Sequence, residues 1–142
     1  MSHYKPSDVP TLMPYLMVKD VSQALDFYQT AFGFERAGEP MVEEGVVQHA
    51  EMVFDDCRIM MGREGAFGSE AKSPASSNLD QGMGLYLYCP DVDAHFEQAQ
   101  EAGARIMQPV QDMFWGDRIY TALDLDGYRW SFATHQGQDR ES

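Results

Sequence analysis

The sequence predicts an α+β fold made of two βαβββ modules. Three observations carry that prediction. Apolar residues alternate along short strand-like runs and switch to helical spacing twice, in the same order each time. The signals also recur in letters: Asp20–Val21 opens the first helical run and Asp91–Val92 the second, while Gly33 and Gly103 stop them. Finally, a single unit of this size has too little apolar surface to stand alone, so two must share the chain.

Taken in order, residues 1–10 are polar and carry two prolines, the mark of a loose lead-in. TLMPYLMV (11–18) reads as a strand. A helix is expected near 20–32, capped by Asp20. Its face is Val21, Ala24, Leu25, Tyr28, Ala31 and Phe32, and Gly33 ends it. FERAGEPM, a turn at EEG, and VVQHAEMVF follow. A two-residue break at Asp55–Asp56 then joins VVQHAEMVF to CRIMMG as a hairpin. Residues 63–82, rich in Ser, Ala, Gly and Glu, read as a linker. The modules are therefore 11–62 and 83–135 within one domain of residues 1–142. In the second module GLYLYC (84–89) is a strand and 91–102 a helix with Val92, Phe96, Ala99 and Ala102 inward. Strands are then expected around ARIMQ, RIYTALDL and YRWSFAT, the last two joined by a tight turn at Asp126–Gly127.

Composition narrows the function classes. Hydrophobic residues make up 44% of the chain, enough for a packed interior. Ten Lys and Arg against 23 Asp and Glu give a formal net charge of −13. That field disfavours nucleic acid and anionic membrane as partners and attracts cationic ligands. No window approaches a membrane-spanning apolar run, and MSHYKPSDVP resembles no signal peptide. Cys57 and Cys89 form no CxxC pair and sit in apolar stretches, as buried thiols in a reducing cytoplasm would. A cytoplasmic location is expected.

Three stretches resemble the vicinal oxygen chelate superfamily, which includes glyoxalase I, bleomycin-resistance proteins, fosfomycin-resistance enzymes and extradiol dioxygenases. They are PYLMVKDVSQALDFYQTAFGF, QHAEMVFDDCRIMMG and DMFWGDRIYTALDLDGYRWSFATH. The last, with W-G-D-R and then D-x-D-G-x-x-W, resembles the PhnB-like branch. Three matches in the right order on a duplicated module are far more specific than a lone D-x-D-G. The resemblance implies the glyoxalase/bleomycin-resistance fold: two modules forming a cupped mixed sheet, helices on the convex side, a ligand in the cup, and a homodimer.

It also implies where a divalent metal would sit. The four positions fall on Met13, Glu51, Gly84 (or its neighbour) and Ser131, and only Glu51 is a competent ligand. A standard metal site is therefore not expected, and no cofactor is assigned. His49 and Glu51 lie two apart on a strand and share a face. They read as an acid/base pair, as half of a metal site, or as a polar pair that grips a ligand or orients the sheet. If Ser131 faces the cup, strand parity puts Tyr15, Met17, Tyr86 and Tyr88 there too, and packs Tyr128, Trp130 and Phe132 on the helix. Trp115 and Arg118 border the cup in PhnB-like relatives. Their plainer reading is an Asp117–Arg118 turn brace with Trp115 over the core. His3, His95 and His135 carry little weight.

These readings favour a small-molecule-binding protein of the bleomycin-resistance type, taking an organic, cationic or aromatic ligand on Met13, Tyr15, Met17, His49, Glu51, Tyr86, Tyr88, Trp115, Arg118 and Ser131. The alternative is a metal-dependent lyase, isomerase or dioxygenase of the glyoxalase class, using one divalent ion on His49 and Glu51. A third reading is an interaction module with a vestigial cup.

Overall fold

A computed structural model describes residues 4–79 and 82–137. Its contacts divide the chain into two units. Unit 1 comprises residues 4–29 and Gly33–Ser73; unit 2 comprises Thr30–Phe32 and the chain from Pro74 onward. The division falls inside the expected linker, of which residues 80 and 81 lie outside the described residues.

Unit 1 contains β1 (Tyr15–Val18), α1 (Val21–Phe27), β2 (Glu35–Glu43), β3 (Val46–Phe54) and β4 (Cys57–Arg63). The strand order is β1-β4-β3-β2, with β1 parallel to β4 and the other pairs antiparallel. The first strand starts later than its apolar run, because Pro14 has no N–H to give a ladder; its carbonyl still accepts from Met60 N–H at 2.9 Å. Asp20 caps α1 by accepting from Gln23 N–H. The helical run is completed by a π-turn, Tyr28–Phe32, and Gly33 closes it at φ 78°, where a glycine carries no Cβ penalty.

Alternation then sorts the side chains. Leu16, Val18, Ala50, Met52, Ile59 and Met61 are buried and share the sheet face that α1 covers through Val21, Ala24 and Leu25. Tyr15, Met17, His49, Glu51, Arg58, Met60 and Gly62 take the opposite, helix-distal face.

Unit 2 repeats the plan with α2 (Pro74–Ser77), β5 (Leu85–Tyr88), α3 (Val92–Glu101), β6 (Arg105–Asp112), β7 (Asp117–Leu123) and β8 (Arg129–His135). Its order is β5-β8-β7-β6, again with one parallel pair, β5 with β8. Asp91 caps α3 through Ala94 N–H. Trp130 and Phe132 stack at 5.7 Å on the helix side, as the strand parity predicts; Tyr128 precedes β8 and is only half-buried. Tyr120 and Phe132 are fully buried there. Each such side chain contributes about 1.5–3 kcal/mol of burial.

His95 is the departure from the expected inward face of α3. It is buried, with Nε2 2.8 Å from the Phe32 carbonyl and Nδ1 2.5 Å from the Tyr120 hydroxyl. The neutral Nε2–H tautomer satisfies both contacts, donating to the carbonyl and accepting from the phenol. Burial pushes its pKa below the ordinary value, and the Phe32 carbonyl only partly opposes this.

The segment expected as a linker has structure of its own. A short 3-10 turn spans Ala66–Gly68, and Ala66, Ser73 and Pro74 are buried. Ser73 N–H donates to Glu64 at 2.9 Å.

Candidate functional site

On the helix-distal face of unit 1 the strand register brings four side chains into a chain of contacts. Gly62 sits across from His49 on one side and Met17 on the other. A Cβ there would come within 2.8 Å of the Tyr15 ring, so the glycine is what lets that ring lie over the sheet. The Tyr15 hydroxyl then lies 3.2 Å from His49 Nδ1. His49 Nε2 is 3.6 Å from one Glu51 oxygen, and Arg58 Nε donates to the other at 2.6 Å. Asp8 lies 3.8 Å from Arg58 Nη1. A groove of about 380 Å³ runs beside Tyr15 and Met17, walled by Ala66, Phe67, Ser69 and Ala71. Phe67 is two-thirds exposed and holds φ at 56°, an uncommon conformation for an aromatic residue.

On the matching face of unit 2 the centre is Asp117, whose side chain is wholly buried. Its Oδ2 accepts from the Tyr86 hydroxyl at 2.5 Å, the Tyr88 hydroxyl at 2.8 Å and the Trp115 indole N–H at 3.1 Å. Its Oδ1 accepts from His135 Nδ1 at 2.7 Å. Burial alone would raise the Asp117 pKa, but the hydrogen bonds from Tyr86, His135, Tyr88 and Trp115 outweigh it and hold the carboxyl at about 2. Burial, followed by the bond to Asp117, pushes the Tyr86 phenol up to about 12. The site therefore centres on a carboxylate ringed by two hydroxyls, an indole and an imidazole. The loop before β7 is fixed by three backbone bonds, Met113 N–H to the Asp117 carbonyl, Gly116 N–H to the Met113 carbonyl and Gln136 N–H to the Gly116 carbonyl.

Most of the expected site residues fall on these two faces: Tyr15, Met17, His49 and Glu51 in unit 1, Tyr86, Tyr88, Trp115 and Ser131 in unit 2. Ser131 is paired with Thr121, hydroxyl to hydroxyl at 3.0 Å. Met13 lies ahead of β1, half-buried. Arg118 is placed elsewhere. Adjacent strand residues point to opposite faces, so the parity that buries Asp117 sends Arg118 to the helix side. There it grips Asp93 with Nε and Nη2 at 3.1 Å, and Asp112 with Nη1 at 3.0 Å. The expected Asp117–Arg118 brace does not form, and Trp115 donates to Asp117 and the Tyr86 hydroxyl.

Three polar members were not legible as such. Arg58 reaches Glu51 because the two-residue turn at Asp55–Asp56 pairs Cys57 with Phe54 and hence Arg58 with Val53, next to Glu51 on the same face. Counting back from that turn finds it. Asp117 is hidden in W-G-D-R, which reads as a turn. His135 ends β8 directly opposite Asp117, one residue beyond the expected strand.

The donor set does not fit the metal that the fold family implies. Met13 offers a thioether, Gly84 nothing and Ser131 a hydroxyl, while the Glu51 carboxylate is already bound to a guanidinium. Among the described residues no group of three or more His, Cys, Asp or Glu is placed to hold an ion.

The comparisons with known proteins agree with this architecture. The chain is 32% identical over 123 residues to an uncharacterised protein of Mycobacterium bovis, covering 86% of this chain and 81% of that protein. An uncharacterised protein of Mycobacterium tuberculosis matches at the same identity, with 72% of its length covered. Among solved structures, TioX from Micromonospora sp. ML1 superposes with a TM-score of 0.70 at 29% identity, over 89% of this chain and 99% of TioX. A superfamily member from Sphaerobacter thermophilus gives 0.68 at 21% identity, over 89% of this chain and 98% of that one, a likeness of fold. The sequence model of the glyoxalase family matches residues 8–132. The chain belongs to the Glyoxalase/Bleomycin resistance protein/Dioxygenase superfamily.

Proposed function

We propose that this protein binds small organic molecules of aromatic character on the helix-distal face of either sheet, without a metal ion. The observation that carries the reading is the state of three tyrosines. Tyr15, Tyr86 and Tyr88 each have the hydroxyl engaged, yet the residues remain 48%, 46% and 46% exposed. Anchored, half-exposed rings give apolar contact area at little further loss of rotamer entropy. The groove beside Tyr15 adds an apolar wall with a polar edge at His49, Glu51 and Arg58. Binding of the bleomycin-resistance type, in which a drug is sequestered, is the natural use of such faces. The W-G-D-R and D-x-D-G-x-x-W segments support a place in the PhnB-like branch.

The test uses Trp115 as its own reporter, since the other tryptophan, Trp130, is buried in the core. Screening aromatic compounds by tryptophan fluorescence and calorimetry should find a ligand whose affinity falls at least about tenfold in Tyr15→Ala or Tyr86→Ala. It should change little in Glu51→Gln. Protein purified without chelator should carry no stoichiometric Zn, Ni, Mn or Fe. About one ion per chain, lost in Glu51→Ala, would put a metal-dependent lyase, isomerase or dioxygenase on His49 and Glu51 ahead.

A homodimer and a cytoplasmic location belong to the same proposal. Edge strand β2 is exposed along most of its length, with Met41 and Val42 half-exposed, which favours a covering partner. A charge of −13 opposes that pairing, so light scattering should show the dimer strengthening with salt. Burial pushes both thiols, Cys57 and Cys89, above their ordinary pKa, as inert cysteines of a reducing compartment would be. No helix among the described residues is long and apolar enough to cross a membrane.

A further inference from the structure

We infer that Tyr86, Tyr88 and Trp115 form a subsite for an organic cation, an alkylated ammonium group held on ring faces above the buried Asp117 carboxylate. The inference rests on the small-molecule reading above and names the chemical class of its ligand.

A buried carboxylate ordinarily meets a lysine or arginine. Here its four partners are two phenols, an indole and an imidazole, and only the imidazole of His135 carries charge when protonated. Arg118, its neighbour in sequence, is turned away to Asp93 and Asp112. The other cation on the same face of β8 is Arg129, six residues from His135 and about 20 Å along the strand. With His135 neutral, Asp117 projects negative charge into its own surroundings.

That charge is not open to direct ligation. A carboxylate offers about four lone-pair sites, and four donors already occupy Asp117. A hard metal ion or a primary ammonium, which needs an oxygen to bond, gains little here. A quaternary or tertiary ammonium needs none and is satisfied by aromatic faces. The rings are placed for that. Tyr86 and Tyr88 stand edge-to-face, 5.5 Å apart at 65°, each about half-exposed, so they present two walls of a corner. Trp115 donates to Tyr86 and Asp117, which holds its ring beside them. Donation of both phenol protons to a carboxylate also enriches the rings in electron density, which strengthens their attraction for a cation. The net charge of −13 concentrates cations at the surface.

The experiment compares choline with 3,3-dimethylbutan-1-ol, which has the same shape with carbon in place of the charged nitrogen, and adds benzyltrimethylammonium as a larger cation. Binding to the full chain is followed by the fluorescence of Trp115 and by the NMR signal of its indole N–H. The cations should perturb Trp115 and bind at least about tenfold more tightly than the neutral alcohol. Tyr88→Phe, which keeps the ring, should bind cations within about threefold of the parent, and Tyr88→Leu should lose at least about tenfold. Asp117→Asn should erase the preference for charge; the Tyr88 pair carries the test if that variant does not fold. Equal affinity for choline and the alcohol, or equal behaviour of Tyr88→Phe and Tyr88→Leu, overturns the inference. So does the absence of any cation response. A neutral aromatic ligand found in the wider screen would then leave the small-molecule reading standing, whereas no organic ligand at all would sink both.

Discussion

Gly62 controls the polar chain of unit 1 more directly than any of the charged residues in it. It has no side chain to resist the Tyr15 ring, and an added Cβ would come 2.8 Å from both Tyr15 Cε1 and Oη. Those atoms are the far end of a side chain that is half-exposed, so the ring swings and the backbone stays. Gly62→Ala should therefore change stability by less than about 1 kcal/mol while breaking the Tyr15–His49 contact. Loss of the nuclear Overhauser contact between the two rings, with an unchanged urea midpoint, is the expected result. A large fall in the midpoint would mean that the ring is wedged in place. At this scale the sequence was informative where parity was the governing rule. His49 with Glu51, and Tyr86 with Tyr88, share faces because successive strand residues must alternate. It was silent where a motif had two readings. Asp117 looks like a turn residue in W-G-D-R, and only the pairing with His135 shows that it lies inside β7. Parity also counts against Arg118 as a partner of that site, once the strand is known to begin one residue before it.

Strands and helices were legible wherever a stop signal coincided with a change of period. Gly33, Gly103 and the break at Asp55–Asp56 all end elements in the structure, at or within a residue of their expected places. Two features lay beyond that reading. Strand β6 runs on to Asp112 through Pro109 and two register shifts, which disrupt the alternation that would reveal it. The segment 63–82 is polar in composition, yet it buries Ser73 and sends Pro74 and Ala75 against the turn that joins β7 to β8. That turn is tightly specified. Asp124 accepts from Asp126 N–H and Tyr128 N–H, both at 2.9 Å, and the Asp126 carbonyl accepts from Ala75 N–H at 2.9 Å. Gly127 holds φ at 87°, and a Cβ on it would lie 3.1 Å from the Ala75 nitrogen, a backbone atom that is already bonded. Gly127→Ala should cost about 2–3 kcal/mol, about 1 from the left-handed backbone and the rest from the clash. Gly45 is the control: its φ is 79° and nothing lies within 4 Å of an added Cβ. Gly45→Ala should lose only the backbone part, about 1 kcal/mol. Urea unfolding of both variants checks the difference, and equal losses would show that α2 yields to the added methyl.

The response of the whole molecule to acid follows from two buried groups in unit 2 set against a strongly acidic surface. His95 is held neutral, with its folded pKa below the ordinary 6.5 chiefly through burial. As pH falls through 6.5 the unfolded chain takes up that proton first, so the stability His95 contributes is complete above 6.5 and is lost below it. Asp117 is held ionised, its pKa lowered from 3.8 to about 2 because the donated hydrogen bonds outweigh burial. Its contribution is complete above 3.8 and is lost between there and 2, since the unfolded carboxylate again protonates first. Both groups thus weaken the fold on acidification, in separate windows. The surface works the other way. Protonating the first carboxylates relieves the self-repulsion of a −13 chain, which favours the compact state until the charge passes through zero near pH 4.4. Ordinary carboxyl pKa values lie near 4, so most of that relief comes below pH 5. The other three histidines are common to the parent and to a His95 variant, so comparing the two in the upper window isolates His95. Between pH 7 and pH 5 the urea midpoint of the parent should fall relative to that of His95→Gln, whose amide keeps a donor and an acceptor but takes no proton. Below pH 4, past the pI near 4.4, growing positive charge adds to the loss from Asp117, and Asp117→Asn should fall less steeply than the parent. A midpoint difference between the two that stays constant from pH 7 to pH 5 would show that protonating His95 carries no cost.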